Sequence, residues 1–314
     1  MEKINIVTEF IFQGLFQNPQ VEAACFVVFS FFYTVIFLGN FLIMLTIFMG
    51  NLLKTPMYFF LNSLSFVDIC FSSVTTLKMI VDLLAKKKTI SFVGCMLQAF
   101  GVHFFGGTEI FILIVMAYDH YVAICKPLHY MTIMDWERCS KILLGTWVSG
   151  FLHSIIQVAL IVHLAFCGPN EIDHYFCDVR PVLKLACTDT YVIGAVVTAN
   201  SGTVTLGSFV FLLISYSVIL VSLRKQSAEG RRKALSTCSA HIAVVIIYFG
   251  PCVFTYMRPN VTFSEDKMVA VFYTIITPML NPMIYTLRNA EVKNAMRKLW
   301  SGRFSRTLMA NSWK

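Results

Sequence analysis

Charge is scarce in this chain. Only 13% of its 314 residues are Asp, Glu, Lys or Arg, 57% are hydrophobic, and the mean hydropathy is +0.71. A soluble domain of this length does not need so much apolar surface, so the shortage of charge excludes an ordinary soluble fold and leaves an integral membrane protein. The little charge present is lopsided, with 25 Lys and Arg against 17 Asp and Glu. In a soluble protein the net charge of +8 would suggest nucleic acid. Here the basic residues collect in short loops and a tail, as membrane orientation requires, and no nucleic-acid partner is expected.

Other absences narrow the class. Met1–Gln20 has no continuous apolar core, being broken by Glu2, Lys3, Glu9 and Gln13, so no cleavable signal peptide is expected and the first span must act as the insertion signal. There is no internal repeat and no continuous polar lining along the apolar segments, which argues against a transporter or channel. No Ser/His/Asp set or metal-ligand pair sits at a working spacing, which argues against a membrane enzyme. Asn5-Ile6-Val7 misses a glycosylation sequon, and Asn260-Val261-Thr262 is the only match in the chain.

What the chain has is apolar runs of membrane-crossing length. Seven candidate spans are expected at roughly 24–49, 57–80, 95–118, 142–161, 191–223, 235–257 and 268–287. The fold class is therefore an all-α bundle of seven transmembrane helices. About 16 Lys and Arg fall on the inner side if the N-terminus is outside, against about 8 on the outer side. That gives an extracellular tail over 1–23, a membrane domain over 24–287 and a cytoplasmic tail over 288–314. Residues 289–300 alternate basic and apolar positions as a short helix lying on the inner membrane surface would. The triplet Lys86–Lys88 falls on the outer side and reads only as a solvated loop. Asn260 falls in the last outer loop, where glycosylation becomes possible.

Polar residues inside the spans stand out against this background. Asp68 and Glu109 are mid-span carboxyls, each costing several kcal/mol unless paired or hydrated. Counting helical rise from the inner ends places Asn40, Asp68 and Glu109 at a common depth. One reading is a buried site for Na⁺ or a proton held by Asp68 and Glu109; the other is a protonated carboxyl hydrogen-bonded to its neighbours. Four cysteines, Cys95, Cys167, Cys177 and Cys187, fall on the oxidising side and allow three disulfide pairings. The run His174-Tyr175-Phe176-Cys177-Asp178, with His103, also admits a metal reading.

The third span leads into Met116–Tyr130, MAYDHYVAICKPLHY, where Asp119 and His120 end the apolar run at the expected membrane surface and Pro127 blocks further regular helix. This stretch resembles the MAYDRYVAICxPLxY signature of odorant receptors among the rhodopsin-type G protein-coupled receptors. PMYFFLNSLSFVDIC in the second span, SYSVIL in the fifth, KALSTCSAH entering the sixth and Asn281-Pro282-Met283-Ile284-Tyr285 in the seventh extend the resemblance over nearly the whole chain. The resemblance implies a plasma-membrane receptor for small, mainly hydrophobic volatile molecules, coupled to a stimulatory, olfactory-type G protein that raises cAMP. It implies the disulfides Cys95–Cys177 and Cys167–Cys187, which removes Cys177 from any metal site. It places the ligand near His103, Gly106, Gly107, Ile110, Asn200, Val204, Phe249, Cys252, Tyr256 and Thr274, and the inner switch at Asp119, His120, Tyr216, Asn281 and Tyr285.

Three departures qualify what is implied. The family carries a sequon in the N-terminal tail, which this chain lacks. Phe249 stands where the family commonly has Tyr. His120 stands where the family has Arg, and an imidazole is shorter, with at most two donors. Weak or absent G-protein coupling is the expected consequence; the alternative is that the G protein tolerates His and signalling is ordinary. Chemosensing outside the olfactory epithelium is compatible with the same sequence.

Overall fold

Helix starts are set by local chemistry. The computed structural model describes residues 7–166, 170–224, 227–257, 263–288 and 290–300. A short strand β1 (Glu9–Phe12) precedes α1 (Pro19–Met49), which opens with Asn18 accepting from the Gln20 N–H at 2.9 Å and Pro19 in the first turn. Helix α2 (Pro56–Leu84) again begins on proline, and β2 (Thr89–Ser91) leads into α3 (Phe92–Cys125), where Ser91 accepts from the Gly94 N–H at 3.1 Å. After a one-turn helix α4 (Tyr130–Ile133), Asp135 caps α5 (Trp136–Ala159) by accepting from the Arg138 N–H at 2.8 Å. Strand β3 (Glu171–Ile172) and the short α6 (Val179–Leu183) lie in the loop before α7 (Tyr191–Leu223). Then come α8 (Ala228–Met257), α9 (Phe263–Val271), a π-helical turn (Phe272–Ile276), α10 (Thr277–Arg288) and α11 (Ala290–Trp300).

Six helical stretches among the described residues are long and apolar enough to cross a membrane, and α8 carries a shorter apolar stretch, Cys238–Val253. Helix α8 is 30 residues long, but its first turns hold Glu229, Arg231 and Arg232, so its apolar part is short while its length is not. The outward faces of the bundle are themselves apolar: Phe31, Phe48, Val93 and Leu97 are all exposed, as lipid-facing residues are. The helices are tied together by polar side chains reaching neighbouring helices. Ser154 Oγ donates to the Phe100 carbonyl at 2.7 Å, Gln98 Nε2 to that of Val74 at 2.9 Å, and Gln157 Nε2 to Ser201 Oγ at 2.8 Å.

Several expectations are corrected here. Helix α3 does not stop at Asp119 and His120 but runs on to Cys125, and those two side chains are 2% and 4% exposed. His120 is covered by Tyr216 of α7 and His241 of α8, and Asp119 by Tyr130 of α4; the helix stops only at Lys126, ahead of Pro127. The N-terminal segment is not a bare tail. Strand β1 pairs antiparallel with β2 and parallel with β3, making a three-stranded sheet on the outer face with Phe10 and Phe12 buried beneath it. Two lysines of the basic triplet find partners here: Lys87 pairs with Glu9 of β1 at 2.8 Å, and Lys88 pairs with Glu22 of α1. The π turn, just before Pro278, left no trace in the apolar pattern.

Candidate functional site

A cavity of about 150 Å³ opens below the outer loops, between α3, α5, α7, α8 and the start of the seventh span. Its position follows from two features. Gly106 and Gly107 give α3 no side chain on this wall, and a Cβ at Gly107 would come within 3.1 Å of the His153 ring. The loop after β3 is pinned over the opening by the Cys95–Cys177 disulfide and by the Cys177 N–H, which donates to Gln98 Oε1 at 2.9 Å. Phe176 from that loop forms part of the cavity wall.

Of the ligand positions named from sequence, His103, Gly106, Gly107, Ile110, Val204 and Cys252 line the cavity. Asn200, Phe249 and Thr274 do not. The Asn200 side chain meets His153 Nδ1 at 3.4 Å, Phe249 is fully buried and stacked on Phe209, and the Thr274 hydroxyl is held between the Ala270 carbonyl and Tyr175. The Tyr256 side chain lies outside the described residues. Sequence reasoning missed His153, Tyr248 and Tyr273, which do line the cavity. A lone ring in the apolar fourth span was the available signal for His153. Tyr248 precedes the Phe249 position that the resemblance favoured, and one residue along a helix turns the side chain by about 100°.

His174, in the roof, does not face the cavity as a metal ligand. It stacks on Tyr175 at 4.8 Å and meets Phe176 edge-on at 4.3 Å. Burial pushes its pKa down to about 4; Asp178 opposes the shift and Lys267 adds to it. With Cys177 in a disulfide, the run 174–178 is part of the roof. Cys187 is also disulfide-bonded, while Cys167 and Asn260 lie outside the described residues.

Midway through the bundle, Asp68 and Glu109 are fully buried and close enough to repel if both ionise. Asn281 Nδ2 donates to Asp68 Oδ2 at 2.8 Å. Asn40, expected in this cluster, is tied elsewhere: its Nδ2 donates to the Ile36 and Pro278 carbonyls at 3.0 and 3.1 Å. Asp68 Oδ1, both Glu109 oxygens, Asn281 Oδ1 and the Tyr285 hydroxyl have no protein partner.

At the inner end, Tyr130 Oη donates to Asp119 Oδ1 at 2.8 Å, fixing the segment after α3 against the helix. Desolvation, then the neighbouring Asp119 carboxylate, push the Tyr130 phenol upward, so it stays a donor. His120 Nδ1 lies 3.3 Å from Tyr216 Oη, and that hydroxyl is also hydrogen-bonded to His241 Nδ1. The two imidazoles stand edge to face, 5.3 Å between centroids. One residue from each of α3, α7 and α8 therefore meets at a single phenol. A hydroxyl has one proton, so it donates to one ring and accepts from the N–H of the other.

A family model described as olfactory receptor matches residues 29–303. Human Olfactory receptor 4S2 is 81% identical over 300 residues, covering 96% of this chain and 96% of that one. Human Olfactory receptor 4B1 is 60% identical over 301 residues, covering 96% and 97%. Mouse Olfactory receptor 4B13 is 59% identical over 300 residues, covering 96% and 98%.

Proposed function

Because the chain belongs to the olfactory receptor family, and so is a seven-span, multi-pass plasma-membrane receptor rather than an enzyme, we propose that it takes small, mainly hydrophobic volatiles in the outer cavity and signals through a stimulatory, olfactory-type G protein to raise cAMP. The observation that carries the ligand part is the cavity itself: about 150 Å³, walled mostly by apolar side chains and roofed by the disulfide-held loop. Ligand in this cavity contacts α3, α7, α8 and the seventh span together. It moves the receptor only by binding one arrangement of those helices better than another. The switch works further inward, with Asp119, His120 and Tyr216 at the inner ends and Asn281 and Tyr285 nearer the mid-bundle acids. The test is cAMP in cells expressing the chain, challenged with a broad odorant panel and with surface level measured in parallel. A response to some volatiles that a bulky Val204→Trp substitution removes at equal surface level is expected. A panel-wide response that Val204→Trp leaves intact would place the ligand elsewhere.

A second reading is favoured by the His120–Tyr216–His241 contact: the receptor reaches the surface but couples weakly. The bridge joins the inner ends of α3, α7 and α8, which must part to admit a G protein, and it uses the side chain that stands in place of the family's Arg. Both readings hold for a chemosensor in the nose or outside it. The reading extends to three further features: a Cys167–Cys187 disulfide, Asn260 as a glycosylation site in the last outer loop, and a cation site, Na⁺ or a proton, at Asp68 and Glu109.

A further inference from the structure

Resting on the receptor reading above, we propose that the ligand is a neutral molecule of about single-ring size carrying one hydroxyl, and that His103 Nε2 is the hydrogen-bond partner of that hydroxyl. The size follows from the cavity. A mainly apolar cavity of about 150 Å³ takes a benzene-sized guest, well below the volume that drug-sized ligands need.

The polar requirement follows from one atom. His103 Nε2 is buried on the cavity-lining face of α3 and has no protein partner. A buried nitrogen left unmatched is destabilising, and a ligand group that pairs with it recovers that loss. Three other polar groups lining the cavity are already engaged. His153 Nδ1 meets Asn200 Oδ1 at 3.4 Å, Ser201 Oγ accepts from Gln157 at 2.8 Å, and the Tyr248 hydroxyl donates to the Gly106 carbonyl at 3.5 Å. The rings of His103 and His153 pack edge to face at 5.5 Å, so His103 is held in place by its neighbour without being satisfied by it.

The chemistry of imidazole selects the group. A neutral ring offers either an N–H or a lone pair at Nε2, depending on tautomer. A hydroxyl donates and accepts, and so matches both; an ether or carbonyl oxygen only accepts and matches one. Phe71, Val102, Ile110, Phe176 and Val204 line the same cavity and favour an apolar body, while Asp178, Arg180, Thr205 and Asp266 also contribute to its lining.

The experiment measures melting temperature of the purified full-length receptor against toluene, anisole, benzyl alcohol, benzylamine and benzoate. Benzyl alcohol is expected to stabilise at the lowest concentration. His103→Leu should weaken benzyl alcohol about tenfold while leaving toluene unchanged. His103→Gln, whose amide keeps a donor and an acceptor, should recover part of the preference and shows the effect is not a folding defect. The inference is overturned if toluene equals benzyl alcohol, if benzylamine or benzoate is preferred, if none of the five stabilises at millimolar concentration, or if His103→Leu leaves the order unchanged. The cAMP assay separates the two readings. Volatiles that raise cAMP through the cavity without any preference for hydroxyls sink this inference and leave the receptor reading standing.

Discussion

His120 and His174 are both buried imidazoles, yet their surroundings give them opposite roles. His120 shares the Tyr216 hydroxyl with His241, and each such bond stabilises the arrangement that contains it by about 1 kcal/mol. Releasing one bond from the closed bundle changes the closed-to-open ratio about fivefold. Arg in that place is longer, keeps its charge and presents five donors, so it cannot replicate an edge-to-face imidazole pair. His120→Arg is therefore expected to raise ligand-evoked cAMP severalfold at equal surface level; an unchanged response would show that the bridge does not limit coupling. His174 has no switch to hold. Its pKa is about 4 in the folded receptor, below the ordinary value near 6.5, because burial disfavours the charged ring. The unfolded chain then binds the extra proton between those two values. Stability from this residue is fully present above about pH 6.5 and is lost as pH falls toward 4, on the order of 3 kcal/mol in all. Melting curves of the purified receptor should show this loss, and His174→Gln should flatten that part of the profile.

Between elements, α3 and α5 approach closely at Gly150. A Cβ built on Gly150 would stand 2.2 Å from Thr108 Oγ1 and 3.0 Å from the Phe104 carbonyl oxygen. The hydroxyl could rotate away only by giving up its own 2.7 Å bond to that same carbonyl, and the backbone atom cannot yield at all. Gly150→Val should cost about 1–3 kcal/mol and reduce surface expression, whereas Gly145→Val, with open space around it, should not. Gly145→Val thus controls for the helix propensity of valine, and equal expression of the two would refute the packing argument. The outer sheet makes a second element-scale case. Phe10 is fully buried and packs against Phe166 edge-on at 5.5 Å and Phe92 at 6.1 Å. Phe10→Ala should destabilise by roughly 3–5 kcal/mol and lower surface level, although the residue lies outside every span. The apolar pattern gave no sign of this sheet. A four-residue strand has too few positions for periodicity, and its partners lie about 80 and 160 residues away in sequence.

For the whole molecule, what was legible in sequence was what depends on long apolar runs and contiguous motifs: the membrane-spanning helices and the family. What was hidden depends on rotation and distant pairing. Phe249 and Tyr248 exchange roles by one helical position, and Asn40 and Asn281 exchange roles because depth along a helix says nothing of the direction a side chain faces. The mid-bundle cluster that resulted sits between the ligand cavity and the inner bridge, and its chemistry bears on both. Asp68 Oδ1, both Glu109 oxygens and Asn281 Oδ1 are buried without a protein partner, and the one donor shown at the Asp68 carboxyl is the Asn281 amide. Two carboxyls so placed cannot both carry unbalanced charge; they need protons or a cation. A cation shared among groups on α2, α3 and α10 would brace the bundle as long as those helices stay together. Sodium in place of choline, at fixed ionic strength, is then expected to raise the melting temperature and lower basal cAMP. Glu109→Gln removes one charge and supplies one donor, so it should abolish the sodium dependence while leaving the receptor at least as stable. If the parent receptor is indifferent to sodium, the cluster is held by protons, and Glu109→Gln should then change neither the sodium response nor the basal signal.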